Sequence, residues 1–155
     1  MRLESTISVG DKAPDFSLPS TQGEINLFSL LANKRVVLAF YTEDNTPTCS
    51  RELSTFKADY DLLQELNTVV LGVSADSVGS HQGFCEKEGD FPFPLASDED
   101  LTVAKAYGVY DSESKRSRRA VFVIDHDGTV MHAMPYYNPV NLNQFQEVFT
   151  ALGVA

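Results

Sequence analysis

Two uninterrupted apolar runs dominate the pattern along the chain, VVLAFY at 36–41 and TVVLGV at 68–73. Both have strand length and are rich in valine, the pattern of strands covered on both faces. Between them Leu53, Phe56, Tyr60 and Leu63 recur at three- and four-residue steps, as one face of a helix does. Residues 36–73 therefore predict a strand, a helix and a second, parallel strand. Upstream, DFSL and EINL are short alternating segments around the turn PSTQG, which predicts a β-hairpin extension at the N-terminal edge. Residues 1–12 carry no such period and read as a loose lead-in.

Downstream, Asp76 or Ser77 can cap a second helix that ends near Gly89, before the breaking FPFP. A short third helix is expected around 99–107, stopping at Gly108. AVFVI at 120–124, the turn DHDG and TVMHAM at 129–134 predict an antiparallel hairpin. A last helix over roughly 139–152 would cover one sheet face with Val140, Phe145, Val148, Phe149 and Leu152. No repeat, low-complexity tract or linker interrupts this order, so residues 1–155 read as one domain. The fold class that follows is α/β: a central mixed sheet flanked by helices, the thioredoxin arrangement.

Composition limits what such a domain does. A chain of 155 residues can bury a core without metal or disulfide staples. The formal net charge of −10 opposes phosphate backbones and anionic lipid, so neither nucleic-acid nor membrane partners are expected. The N-terminus has no apolar stretch of signal-peptide length, and a cytoplasmic location is the expectation. The two cysteines, Cys49 and Cys85, are then expected to be free, catalytic or redox-active thiols rather than a permanent bridge.

Cys49 draws attention by its place. The first apolar strand ends at Tyr41 and the helical face is established by Leu53, so the loop between them delivers Cys49 to the first helical turn. Ligands bind beyond the carboxyl ends of parallel strands in open α/β sheets, and Cys49 lies at that crevice. Unpaired N–H groups and the positive dipole end of a helix favour a thiolate over a thiol, whose ordinary pKa is about 8.5. Its neighbours Thr48, Ser50 and Arg51 bring no opposing negative charge. Thr46, three residues earlier, either caps the helix or turns its hydroxyl toward the sulfur, and position alone does not choose. Cys49 could also be a packed small hydrophobe, but a helix start favours reactivity.

The stretch FYTEDNTPTCSRE resembles the active-site segment of peroxiredoxins of the AhpC/TSA family, closest to the branch named for bacterioferritin comigratory protein. The resemblance covers nearly the whole chain, through VGDKAPDFSLPSTQGE, VVLGVSADSVGSH, FPFPLASDED, VAKAYGV and RRAVFVIDHDG in the family's order. It implies a thioredoxin-fold thiol peroxidase that needs no cofactor. By that resemblance Cys49 is the peroxide-attacking cysteine, Thr46 the threonine of the motif, Arg119 the distant arginine at a strand entrance, and Glu52 an acidic position on the same helix. Fixed donors from Thr46, the Cys49 N–H and Arg119 would then stabilise charge building on the leaving oxygen. Thr42 departs from the pattern: it stands where the family carries a proline whose ring shields the thiolate.

Attack on peroxide leaves a sulfenic acid, which must meet another thiol before further oxidation. Many members of the branch resolve it with a cysteine five residues on, which here is Ser54. Others place it on the next helix, where Cys85 falls, so the resemblance implies a disulfide between Cys49 and Cys85 within one chain. Cys85 also shares a helical face with Val78 and His81 or Gln82, as a quietly packed thiol would. Hydrogen peroxide and organic hydroperoxides are the implied substrates, thioredoxin or a similar dithiol the implied reductant, and a monomer or weak homodimer the implied state. A one-cysteine cycle with an external thiol is the alternative.

Other chemistries find less support. His81 and Cys85, four apart, make half a metal site with no second pair, and no calcium-loop or phosphate-loop spacing is present. His126 and His132 read as surface residues of the hairpin. A thiol–disulfide oxidoreductase on this fold would want a cysteine where Thr46 stands. A binding or chaperone-like domain that has lost peroxidase activity is the competing non-enzyme reading, and Thr42 is the residue that favours it.

Overall fold

In the computed structural model, which describes residues 6–44 and 46–153, the first half of the chain forms β1 (Ser17–Leu18), β2 (Ile25–Asn26), α1 (Leu27–Leu31), β3 (Arg35–Phe40), α2 (Pro47–Ala58), α3 (Tyr60–Glu65) and β4 (Thr68–Ser74). The second half forms α4 (Val78–Glu88), β5 (Leu95–Ser97), α5 (Thr102–Ala106), β6 (Tyr110–Asp111), β7 (Arg116–Ser117), β8 (Ala120–Ile124), β9 (Val130–Met134) and α6 (Leu142–Ala151). The main sheet has the order β5-β4-β3-β8-β9. Within it β3, β4 and β5 run parallel, whereas β8 is antiparallel to both β3 and β9. This is the mixed α/β sheet of the thioredoxin fold.

Alternate side chains of β3 enter two separate cores. Val37 and Ala39 pack with Leu53, Phe56, Phe84, Phe145 and Val148, on the side of α2, α4 and α6. Val36, Leu38 and Phe40 face Leu27, Leu31, Val103 and Tyr107 on the opposite side. With both faces covered, the strand reads as one continuous apolar run instead of an alternation. Gly72 of β4 has no room for a side chain: a Cβ there would stand 2.7 Å from Leu95 Cδ2 on the neighbouring β5 and 3.4 Å from Leu53 Cδ2 on α2. Close approach of neighbouring groups is a common reason for a strand glycine.

The expected N-terminal hairpin forms between β1 and β2. The chain after β1 then lies along β5, with Ser97 N–H donating to Pro19 O at 2.8 Å and Thr21 N–H to Leu95 O at 3.1 Å. That segment covers an otherwise open sheet edge. Part of the expected lead-in lies outside the described residues, and the rest is not loose. Gly10 N–H donates to Val130 O and Val130 N–H to Asp11 O, both at 2.9 Å, so the segment runs beside β9. Main-chain pairing of this kind leaves no period in the side chains.

Other boundaries move for local reasons. The single helix expected after Cys49 divides at Asp59, where the backbone leaves helical geometry at φ −108° and ψ 20°. Tyr60 stays in the buried row, its ring centroid 5.5 Å from that of Phe93. The third helix begins only at Thr102, because Leu101 adopts φ 63° and the buried Asp98 carboxylate accepts the N–H groups of Val103 and Ala104. Asn141 caps α6, accepting from the Asn143 and Gln144 N–H groups. Val140 therefore falls outside the helix at 64% exposure and covers nothing, whereas Phe145, Val148, Phe149 and Leu152 are buried as the pattern requires. The pattern marked neither α1 nor β5, which at five and three residues are too short to display a period. Among the described residues no helix is long and apolar enough to cross a membrane.

Candidate active site

The loop after β3 sets the site. Tyr41 extends the strand, its N–H donating to Val73 O and its carbonyl accepting from Ser117 Oγ at 3.0 Å. Thr46 is extended at φ −93° and ψ 142°, and Pro47 opens α2 with its ring-fixed φ. Cys49 thus sits in the first turn of α2, as the sequence predicts. It is fully covered, among Leu53, Phe56 and Phe84 of the same core.

The hydroxyl that meets the sulfur is that of Thr42, with Oγ1 3.1 Å from Cys49 Sγ. Thr46 does neither of the things its position offered. It makes no side-chain cap and donates its hydroxyl to Glu43 O at 3.2 Å. A carbonyl only accepts, so the single Thr46 proton is spent there and its lone pairs are what it can offer a ligand.

Arg119 reaches the same place from β8. Ala120 pairs with Phe40, so the preceding residue leaves the sheet beside the start of the Cys49 loop. Thr42, Arg119 and Tyr137 share the wall of a cavity of about 280 Å³, together with Arg118 and Tyr136. The buried Arg119 Nε has no hydrogen-bond partner among the described residues. The neighbouring basic residues of KRSRR, 115–119, supply β7, paired with β6, with Arg118 stacked 4.6 Å over the Tyr136 ring and Arg116 3.4 Å from Asp76.

Glu52, one turn beyond Cys49, is completely buried and neither carboxylate oxygen has a partner among the described residues. Burial pushes its carboxyl well above the ordinary value, the nearby Cys49 sulfur adds to this, and Arg119 pulls the other way. Tyr137 is raised too, by burial and then by Glu52. The consequence for stability has a definite sign. Below the ordinary glutamate value of 4.5 both folded and unfolded chains hold the proton; above it the unfolded chain ionises first. Stability contributed by this group then falls by about 1.4 kcal/mol per pH unit until the folded carboxyl also ionises. Glu52→Gln is expected to match the parent near pH 4 and to melt at a higher temperature at pH 7, measured by calorimetry across that range. A variant with the parent's pH dependence would contradict a neutral Glu52.

A buried polar cluster fixes the loop from below. Asp44 accepts from Tyr41 Oη at 2.7 Å and Ser80 Oγ at 2.7 Å, and lies 2.9 Å from His81 Nδ1. His81 Nε2 faces Ala96 O at 3.0 Å. Burial opposes the Asp44 charge, but these hydrogen bonds more than offset it and hold the carboxyl below its usual range. Asp44 N–H donates to Asp76 Oδ2, which also accepts from Ser74 Oγ, each at 2.8 Å. Donor atoms of Asp44, Asp76 and His81 lie within 4.8 Å of one another, so these residues could hold a metal ion. Their lone pairs are already engaged by protein donors, and His81 pairs with Asp44 rather than forming a ligand pair with Cys85. The other two histidines also have partners: His126 Nδ1 lies 3.3 Å from Leu31 O and His132 Nε2 3.0 Å from Glu147 Oε1.

Cys85 lies on α4, which Ser77 caps by accepting from Ser80 N–H and which ends at Gly89 with φ 83°. It is buried and free, and it borders a different cavity, lined by Thr21, Gln22, Gln82 and Phe91 among others. Burial raises its thiol pKa, a backbone hydrogen bond at Phe91 lowers it, and Asp90 raises it further. Lys57, near the end of α2, ties the last turn of α4, donating to Glu88 O at 3.3 Å and Gly89 O at 3.1 Å. Tyr137 and the roles of Asp44, His81 and Tyr41 carry no signal in residue order: Asp44 stands between Glu43 and Asn45, and His81 between Ser80 and Gln82, as solvated residues would.

A thioredoxin fold with a cysteine in the helix turn that follows its central strand, beside a cavity walled by arginine, defines a thiol-based oxidoreductase. The sequence pattern of the AhpC/TSA family matches residues 9–133. A Coxiella burnetii protein bearing the name peroxiredoxin bcp is 40% identical over 136 residues, covering 84% of this chain and 89% of that one. One of the same name from Helicobacter pylori is 39% identical over 153 residues, covering 94% and 98%. The crystal structure of peroxidoxin BcpB from Mycobacterium tuberculosis matches with a TM-score of 0.85 at 30% identity, covering 94% and 96%. The chain belongs to the AhpC/TSA family, and is a peroxiredoxin, a thiol-dependent peroxidase.

Proposed function

We propose that Cys49 is the sulfur that reduces peroxide and Cys85 the thiol that resolves it, within one domain formed by residues 1–155. The observation that carries the first assignment is the Cys49 sulfur 3.1 Å from a hydroxyl on the wall of a cavity that also holds the unspent Arg119 donor. Hydrogen peroxide or an organic hydroperoxide enters that cavity. The thiolate attacks the terminal oxygen, an S–O bond forms as the O–O bond breaks, and the leaving oxygen takes a proton to become water or an alcohol. Arg119 cannot lose its own proton and stabilises the leaving charge, while Thr46 offers only lone pairs to the peroxide proton. Burial raises the Glu52 carboxyl and so disfavours a second negative charge beside the sulfur.

In the second step the Cys85 thiol displaces water from the sulfenic acid to give a disulfide, which thioredoxin or a similar dithiol then reduces. Cys49 is fully enclosed at the start of α2, and Cys85 on α4 borders a cavity that Cys49 does not line, so α4 must open locally before the sulfurs meet. Burial keeps the Cys85 thiol protonated and quiet until then. The acidic surface and two free thiols suit a cytoplasmic protein, acting as a monomer or weak homodimer.

The test is to add one equivalent of hydrogen peroxide to reduced protein and map the products by mass spectrometry after non-reducing digestion. A peptide joining Cys49 to Cys85 is expected. In Cys85→Ser the sulfenic acid should persist and turnover with thioredoxin should fall at least about tenfold, with over-oxidation to sulfinic acid in its place. Undiminished turnover would instead establish the one-cysteine cycle.

A further inference from the structure

We propose that Thr42 is a positioning residue of the peroxidase reaction: its hydroxyl donates to the Cys49 sulfur, holding it ionised and turned toward the cavity. The inference rests on Cys49 being the reacting sulfur. Thr42 Oγ1 and Cys49 Sγ are 3.1 Å apart. An ionised sulfur has no proton to give, so the hydroxyl is then the donor. The sulfur is fully covered and has lost the donors that water would supply. The motif's own threonine does not replace them, since the Thr46 hydroxyl is committed to Glu43 O.

The backbone around Thr42 is held so that this hydroxyl stays in place. Ser117 Oγ donates to Tyr41 O, Arg116 Nη1 approaches Thr42 O at 3.4 Å, and Asp44 N–H donates to Asp76. Thr42 also lines the cavity in which peroxide is reduced. A proline here would give the sulfur neither a donor nor an acceptor. Thr42 therefore does by hydrogen bonding what a ring can do only by shielding.

The hydroxyl gains and loses no atoms in the reaction. As the S–O bond forms, charge leaves the sulfur, and the Thr42 bond weakens. An interaction stronger before the transition state than in it helps only by raising the population of the reactive form. Its benefit should be visible at neutral and acidic pH and disappear in alkali, where the thiolate forms unaided. The titratable and charged groups around the site are Glu52 on α2, which acts directly on the sulfur, Arg119 at the entrance to β8 and Tyr137 after β9, which interact with Glu52, and Asp111, Arg118 and Tyr136 on the same cavity wall. None is altered when Thr42 is replaced.

The experiment measures the second-order rate of hydrogen peroxide with reduced Thr42→Val, Thr42→Ser and parent protein by stopped flow from pH 5 to 9, with iodoacetamide alkylation in parallel. A hydrogen bond to a charged group is worth roughly tenfold or more. Thr42→Val should be about tenfold slower near pH 6 and converge with the parent by pH 9, in both reactions, while Thr42→Ser stays within about twofold throughout. A valine variant as fast as the parent at pH 6, or equally slow at every pH, or a serine variant as slow as valine, overturns the proposal. Cys49→Ser run alongside separates the two claims. If it still consumes peroxide the underlying assignment fails, and if only the valine result fails the assignment stands without Thr42.

Discussion

Cys49→Ser is expected to lower peroxide turnover with a thioredoxin system by more than about a thousandfold, because an alcohol at this position neither ionises near neutrality nor forms a sulfenic acid. The change removes the reacting atom and little else. Serine is slightly smaller, the Thr42 hydroxyl remains beside it as a partner, and α2 keeps Pro47 at its first turn. Folding should survive, so thermal melting and the non-reducing digest provide controls in the same sample. Peroxide consumption should vanish together with all disulfide, whereas Cys85 stays reduced. Residual turnover within tenfold of the parent would move the chemistry to another group, and Cys85 is the only other thiol in the chain.

Asp44→Ala is expected to destabilise the folded state by about 3–5 kcal/mol, read from urea unfolding at neutral pH. The carboxylate is 1% exposed in its side chain and gathers donors from three directions. Deleting it leaves the Tyr41 hydroxyl, the Ser80 hydroxyl and the His81 Nδ1 edge facing a void in the core. The pH dependence follows from the lowered carboxyl. Its contribution is fully present above the ordinary aspartate value of 3.8 and is lost only as pH falls through the lower folded-state value. The penalty of the substitution should therefore shrink in strong acid, and a constant penalty down to pH 2 would place the loss in packing instead. Because Asp44 anchors the loop ahead of Cys49, the variant should also react more slowly with peroxide.

The sheet was legible in the sequence wherever burial on both faces wrote an apolar run, as in β3 and β4, and the helices wherever a cap preceded a period, as at Ser77. Position along the chain was enough to put Cys49 at the start of α2. What stayed hidden depended on contacts between distant segments. Arg119 is singled out in the sequence by family resemblance alone, and only the pairing of Ala120 with Phe40 brings it beside Thr42. Thr46 and Thr42 could not be ranked, because the loop geometry that turns one hydroxyl to a carbonyl and the other to the sulfur has no signature in residue order. Asp44 and His81, 37 positions apart, form a pair that neither residue announces.

The two helices that bear the cysteines are fastened at unequal strength. At one end the tie is the fully enclosed His81 ring against Asp44; at the other it is the Lys57 ammonium on the Gly89 carbonyl, within reach of water. Fraying from the glycine end sacrifices only solvent-replaceable bonds, while fraying from Ser77 strands a carboxylate in oil. Unwinding should accordingly travel inward from Gly89, reach Cys85 within about one turn, and stop before His81, so that a redox cycle can loosen one thiol while the cradle of the other stays intact.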